Sequence, residues 1–483
     1  MSKSDSDSDS ISSSSRETSS SSGSNSSSSS SSGSGTSSDS STYDKTLGEE
    51  YAGEILKHKY VLIDKIGVGT FSAVWLALNI DDLKLYAIKI QHVDDYYDGE
   101  KEAIFLSKVP NKCDNLTKLV EYFDVKNPLN PEYMNLCMVM DLYIGSVYHL
   151  LNKGGYKNGF DVKICNKILV DVLNGLNTLN KMGYIHTDIK PENILIKGLN
   201  PIFIELKKLI DENQTIQKMI KEINDKYKGY KLHILGKKTT IYVDRKKKFN
   251  NEKMVILKQL SKQIIYGFKL ICNKYCREDY KDNLEINQSD NNILTPNYYT
   301  KKFDLYGNNG MSDTDFSKFT YVLSDFGTIK QIGTNRDDEI QTRYYRAPEV
   351  ILGCKWNQNV DIWSMGCLYF ECLTGDVIFN PEHDKNYDTD THHLYWIHQL
   401  LDLDLDQYKD GTNYNKFYDE NNNLKIKNKI EHLTFEDVIK EYKELKKKEL
   451  QYVVNLFNLL FTNKKNRPSI NKIINFVSES CLI

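Results

Sequence analysis

Between Tyr60 and Asp141 the apolar residues fall in short runs: Y-V-L-I-D-K-I, A-V-W-L-A-L-N, L-Y-A-I-K-I and L-C-M-V-M. Each run is rich in Val, Ile, Leu and aromatic side chains and is bounded by Gly, Asp or Asn, the pattern of strands joined by turns. Only one stretch here, about residues 99–109, has helical spacing, so residues from about 51 to 142 read as a small antiparallel sheet with one helix. From Asp161 the period changes. V-K-I-C-N-K-I-L-V-D-V-L-N-G-L-N-T-L repeats apolar residues at three and four, and the second half of the ordered chain reads as mainly helical. The first 42 residues carry neither period. Met1 and Ile11 are their only large apolar groups, and 26 of the first 41 residues are Ser. Such a stretch cannot bury enough apolar area to offset chain entropy, so residues 1–42 read as a disordered tail. Its S-D-S-D repeat suits phosphorylation as well as plain solvation.

Composition narrows the function classes. A chain of 483 residues allows two or three folding units, and without the tail it still supports a large two-lobed core. The net charge of −3 argues against a globally basic nucleic-acid binder. Nine cysteines lack paired metal-ligand spacing, no apolar run reaches bilayer-spanning length, and the first residues lack the apolar core of a secretory signal. The expectation is an intracellular protein with reduced thiols, in cytoplasm or nucleus, without a membrane partner. Local charge adds to this. Residues 199–318 hold 23 Lys plus Arg against 15 Asp plus Glu, a basic insert with some helical stretches and an Asn/Asp-rich end. It reads as a solvated spacer, with RNA, an acidic partner or the Ser/Asp tail as other uses of its charge. Residues 376–420 are the opposite, with 11 acidic residues against three Lys.

Four motifs carry chemistry. In I-G-V-G-T-F-S-A-V, from Ile66 to Val74, Gly67 and Gly69 let the backbone approach phosphates, although a plain tight hairpin has the same look and Ser72 stands at the third glycine. Lys89, in A-I-K from Ala87, sits in a run that should be buried and needs an anionic partner. Glu102 or Glu100 on the following helix would supply a carboxylate, with Glu102 preferred. The densest signal is I-H-T-D-I-K-P-E-N-I-L, from Ile185 to Leu195, which looks like the catalytic loop of the protein kinases, H-x-D-x-K-x-x-N; that resemblance implies that Asp188 would orient the substrate hydroxyl and accept its proton, Lys190 would steady the transferring group and Asn193 would bind a divalent ion. S-D-F-G-T follows, with Asp325 as the metal-chelating carboxylate. Y-Y-R-A-P-E and D-I-W-S-M-G come next in order, with Glu349 expected to pair with Arg467 and Asp361 to brace the catalytic-loop backbone.

Across about residues 51–483 these motifs resemble the eukaryotic protein kinases. The resemblance implies an α+β bilobal fold, with a β-rich N-lobe over 51–142 and a helical C-lobe over 143–198 and 319–483, split by the basic insert over 199–318. It also implies ATP and Mg²⁺ as cofactors. Ile66, Val74 and Ala87 would roof the adenine pocket, Leu195 would floor it, and Asp141 to Tyr143 would offer backbone hydrogen bonds at the lobe junction, with Met140 behind. About 130 positions separate Asn193 from Asp325, far more than a contiguous domain places there. That split, with H-T-D-I-K-P-E-N-I-L, I-Q-T-R-Y-Y-R, T-G-D-V-I-F-N-P and L-T-F-E-D-V-I, is similar to the SR-protein kinases, though they tend toward D-L-G and S-L-E where this chain has D-F-G and A-P-E. This likeness implies a serine/threonine kinase acting on basic Arg/Ser-rich protein substrates, working as a monomer and without need of nucleic acid. A dual-specificity Tyr-regulated kinase is the alternative, and a pseudokinase scaffold is disfavoured because Lys89, Asp188 and Asp325 are all present. Thr187 stands where many kinases carry an Arg that binds an activation-loop phosphate, so activity without that phosphate is expected.

Overall fold

The computed structural model of the chain describes residues 51–480, apart from 129, 154–155, 228–238, 276–314, 335–338, 383–386 and 427–428 and the side chains of 153 and 226–250. The serine-rich tail and most of the Asn/Asp-rich stretch lie outside the described residues.

The first part is a six-stranded antiparallel sheet in the order β1-β2-β3-β4-β6-β5, from β1 (Ile55–Leu56), β2 (Tyr60–Val68), β3 (Ser72–Asn79), β4 (Leu85–Gln91), β5 (Leu119–Lys126) and β6 (Met134–Asp141). β2, β3, β4 and β6 read as near-continuous apolar runs because both faces are covered, whereas β5 alternates half-buried and exposed residues. Leu76 and Leu78 of β3 join the main core, whereas Trp75 and Ala77 point the other way, into a second cluster with Tyr51, Leu62, Ile88 and Val139. The one helix, α1 (Tyr96–Leu106), buries Glu102, Ala103, Phe105 and Leu106. It begins three residues before the expected start because a short 3₁₀ turn, Val93–Asp95, feeds directly into it.

Beyond the lobe junction lie β7 (Tyr143–Ser146), α2 (Val147–Lys153), α3 (Val162–Lys181), β8 (Tyr184–Ile185) and β9 (Ile194–Lys197). Asp161 caps α3 by accepting the Ile164 N–H at 2.8 Å. After the insert come β10 (Tyr321–Leu323), β11 (Lys330–Gln331), α7 (Pro348–Ile351), α8 (Val360–Thr374), α9 (Thr389–Leu400), α10 (Tyr414–Phe417), α11 (Phe435–Tyr442), α12 (Lys447–Leu460) and α13 (Ile470–Glu479). Every residue of α8 is buried, as befits a helix at the centre of the large lobe.

The insert helices correct the solvated-spacer reading. They are α4 (Pro201–Glu212), α5 (Gln214–Tyr227) and α6 (Thr239–Lys274). Asn200 caps α4 and Pro201 opens it. Ile202, Phe203, Leu206 and Ile210 of α4, Ile216, Ile220 and Ile223 of α5, and Leu257, Leu260, Ile264, Phe268 and Ile271 of α6 all enter the main core. Their spacing of three and four demands a partner surface. A count of charges over the whole segment hides that periodicity.

Chain on either side of the insert closes into one sheet. β10 pairs antiparallel with β9, Leu323 opposite Ile194 and Tyr321 opposite Ile196, and β7 takes the other edge of β9. Ser324 also donates its N–H to the Asn193 carbonyl at 2.9 Å. Residues far apart in order thus meet at the base of the cleft between the lobes.

Candidate active site

Lys89 lies on β4 opposite Val74 of β3 and Met138 of β6. Its Nζ is 2.7 Å from Glu102 Oε2 and 3.4 Å from Asp325 Oδ1. Of the two helix carboxylates, Glu102 is the one that reaches it, and it is buried. Burial alone would push the Lys89 ammonium down, but Glu102 and Asp325 together hold it above its ordinary value. Glu102 also accepts the Phe326 N–H at 3.3 Å, so one carboxylate joins β4, α1 and the D-F-G segment. The Phe326 ring meets Phe105 of α1 at a tilt, with centroids 4.9 Å apart, and His186 edge-on at 5.5 Å, which packs the segment beneath the helix. Asp325 itself adopts φ 63°, a left-handed conformation that turns its carboxylate toward the cleft.

Asp188 stands across the cleft floor. Its Oδ1 accepts from Thr342 Oγ1 at 2.6 Å, and its Oδ2 lies 2.8 Å from Lys190 Nζ. Lys190 also donates to Thr342 Oγ1 at 3.0 Å, which closes a three-membered network. Burial opposes ionisation of Asp188, yet Lys190 and Thr342 keep its carboxyl below the ordinary range. Asn193 donates its Nδ2 to the Asp188 carbonyl at 2.8 Å and to Oδ2 at 3.2 Å. Its Oδ1 is thereby the atom left for a metal ion.

The loop that carries Asp188 is held from beneath. Asp361 of α8 accepts the His186 and Thr187 N–H groups, each at 2.9 Å. His186 Nδ1 accepts the Asp188 N–H at 3.2 Å, which leaves Nε2–H to donate to the Ser324 carbonyl at 3.0 Å. Thr187, at φ 70°, donates its hydroxyl to the Thr328 carbonyl at 2.9 Å. A short uncharged side chain therefore joins the catalytic loop to the segment after D-F-G. Farther out, Glu349 and Arg467 form a buried pair, with Arg467 Nη2 2.6 Å from Glu349 Oε2.

The remaining expected residues line the cleft's upper side and back. Ile66 and Gly67 lie on β2, with Gly67 opposite Val74, and Gly69 donates its N–H to the Ser72 carbonyl at 2.8 Å in the hairpin. Ala87 pairs with Met140, and Asp141 ends β6 just before Tyr143 opens β7. Leu195 is half-buried on β9. One residue that sequence reasoning did not single out is Gln341. At φ 67° it accepts the Ala347 N–H through Oε1 at 2.9 Å, donates through Nε2 to Val360 O and Ser364 Oγ, and its carbonyl accepts from Arg346 Nη2 at 3.1 Å. Its place in I-Q-T-R-Y-Y-R is the only sequence signal.

The donor set fits a hard divalent ion. Asp325 and Asn193 present oxygen donors, and among the described residues no group of three or more His, Cys, Asp or Glu forms a closed metal cage. That suits Mg²⁺, which takes one or two protein oxygens and completes its shell with phosphates and water.

Comparisons place this geometry among known proteins. The pattern of the protein kinase domain matches residues 60–211 and 303–477, in two segments that flank most of the insert. A protein of Acanthamoeba polyphaga mimivirus named as a serine/threonine-protein kinase, L205, is 27% identical over 430 residues, covering 78% of each chain. The serine/threonine-protein kinase SRPK of Physarum polycephalum is 25% identical over 388 residues, covering 78% of this chain and 75% of that one. SRSF protein kinase 3 of Mus musculus is 23% identical over 417 residues, covering 72% and 73%. Among solved structures, a crystallised kinase domain superposes with a TM-score of 0.53 at 20% identity, covering 88% of this chain and 97% of that one, a likeness of fold.

Proposed function

The chain belongs to the protein kinase family, as a serine/threonine kinase with a split domain, and we propose that it moves the γ-phosphoryl group of ATP to serines in basic, Arg/Ser-rich protein segments through the residues gathered around Asp188. Protein kinases in general use ATP and Mg²⁺. Here Asp325 and Asn193 would hold the Mg²⁺, which when bound neutralises charge on the phosphates. Lys89, fixed by Glu102, would hold the α- and β-phosphates. Asp188 orients the serine hydroxyl and takes its proton, while Lys190 faces the charge that develops on the transferring group. Ile66, Gly67, Gly69, Val74, Ala87 and Leu195 would enclose the nucleotide, and the backbone from Asp141 to Tyr143 would bond the adenine edge. The observation that carries the reading is Lys89 bonded to both Glu102 and Asp325, because it joins the small lobe, α1 and the metal-binding segment in one network.

Substrate choice draws on the names of the relatives and on the acidic stretch 376–420. Several of its carboxylates already have local cations: Asp388 pairs with Lys416, Asp390 with Arg343, Asp406 with Lys409 and Asp410 with Lys464. The stretch by itself sums to −8, and an excess remains after Arg343 and Lys464 from outside it are counted, enough to attract a basic peptide and speed encounter. The test is a rate comparison on matched peptides with Arg/Ser or Asp/Ser repeats. We expect the Arg/Ser peptide to be phosphorylated faster, with the advantage shrinking as salt rises. Equal or reversed rates would remove the substrate assignment and leave the phosphotransferase reading intact.

A further inference from the structure

Helix α6 of the insert packs against β2, the strand that leads into the glycine-rich hairpin, and touches Gly53 and His58 on either side of β1. Ser261 Oγ donates to the Gly53 carbonyl at 3.2 Å. Gly53 has φ +78°, and a Cβ there would lie only 3.4 Å from Ser261 Oγ and Ile265 Cδ1. Met254 Sδ lies 3.4 Å from His58 Nδ1, and the charge of Lys269 farther along α6 favours the ionised form of Asp64 on β2. The other side of the helix is fixed to α4. Gly267 lets Leu209 pack against it, and Lys274 and Tyr275 both bond Glu205 at 2.6 Å. Asn200, which caps α4, donates to the Ile144 carbonyl at the lobe junction at 3.3 Å. The insert helices thus run from the junction to the root of the hairpin.

Asp64 occupies the soft point of β2. The register with β3 shifts twice, between Leu62 and Asp64 and between Lys65 and Gly67, and such bulges loosen a ladder and re-aim the strand beyond them. Asp64 is 5% exposed. Its Oδ1 accepts the Lys65 N–H at 2.9 Å, and its buried Oδ2 has no hydrogen-bond partner among the described residues. A buried carboxylate oxygen without a partner disfavours the charged form, so the charge on Asp64 bears on how the strand seats. Past it lie Ile66 and Gly67, and then the hairpin's exposed Val68 and Phe71.

We infer that Asp64 is a positioning residue for nucleotide binding: from its buried place between the two register shifts of β2, the strand that packs against α6, it sets the angle of the glycine-rich hairpin over the ATP phosphates and couples the insert to the nucleotide site. This rests on the ATP reading of the cleft. Burial pushes the Asp64 carboxyl up to about 7, opposed by Lys65 on its own strand and Lys269 on α6, while its partner on β3 is the apolar Leu76. The group is therefore neutral and well seated below neutrality, and charged above it.

The test measures the KM for ATP, kcat, the peptide KM and direct ADP binding on the full chain between pH 6 and 8, for the wild type, Asp64→Asn and Lys269→Met. Wild-type nucleotide affinity should weaken about threefold or more as pH rises through 7, with kcat and peptide KM moving far less. Asp64→Asn should flatten that change, and the nucleotide's own titration is common to both proteins. Lys269→Met should move the change to higher pH, because it removes a cation that favours the charged carboxylate. Parallel pH profiles for wild type and Asp64→Asn would overturn the inference, and so would proportional losses in kcat and both KM values. Should Asp64→Asn not fold, an unmoved midpoint in Lys269→Met would overturn it alone. ADP affinity is read without turnover, so failure of the phosphoryl-transfer reading and failure of the coupling through Asp64 are separate results.

Discussion

Two charged networks meet in the cleft, one around Lys89 and one around Asp188, and each makes a separate demand on its residues. Replacing Lys89 by Met leaves the buried Glu102 without its cation, and Asp325→Ala removes a metal-binding carboxylate. Either should lower turnover by orders of magnitude in a steady-state assay. Asp188→Asn should lower kcat as far while keeping the affinity for ATP, because Asp188 touches the hydroxyl rather than the nucleotide. The depressed pKa of Asp188 fixes a pH sign. The folded chain binds that proton less readily than the unfolded one, so the associated stability is present above about pH 4 and is lost as pH falls below it. The acid limb of the kcat profile should accordingly lie below the ordinary carboxylate range. Most of these residues were legible because their motifs specify side-chain chemistry. The choice between Glu100 and Glu102 was not, since residues two apart on a helix differ in which face they occupy, and that face depends on packing. Gln341 was invisible for another reason: its role comes from a left-handed backbone and from partners on α8.

At the scale of elements, α6 behaves as core. Its buried apolar residues, Leu257, Leu260, Ile264, Phe268 and Ile271, belong to the main core, and α4, α5 and β2 pack against the helix. Phe268→Ala should therefore lower the unfolding free energy by about 3–5 kcal/mol in chemical denaturation, where the same change on a solvated linker would stay within about 0.5 kcal/mol. Excision of 205–315 should likewise lower the thermal midpoint, because it removes Leu206 and Ile210 from the core and uncovers Ile202, Phe203 and the part of β2 that α6 packs against. The strands and α3 were readable because a single period runs through each. The insert was misread because its charge was counted over 120 residues, while its apolar stripes occupy only the helical parts.

For the whole molecule, activity should not await a phosphate. Thr187 leaves no cation at the position that normally receives one, and the segment after D-F-G is already joined to the catalytic loop through Thr187 and Thr328 and to α8 through Gln341. Arg346, which other arrangements would offer to a phosphate, is engaged by the Gln341 carbonyl and by Glu339 at 2.7 Å. Phosphatase treatment should leave most of the turnover, and loss of nearly all of it would refute the expectation. The bilobal outline was legible because the order of motifs dictates it. The coupling between insert and small lobe was not, since it depends on which surface a mid-chain helix finds. One bond has a consequence for biosynthesis. Glu349 of the A-P-E turn finds Arg467 only 118 residues later. A ribosome stalled before that arginine emerges would hold a nascent kinase whose Glu349 carboxylate is buried without its cation, although Gln341 already ties the segment to α8, so the last brace of the substrate-side segment arrives late in translation.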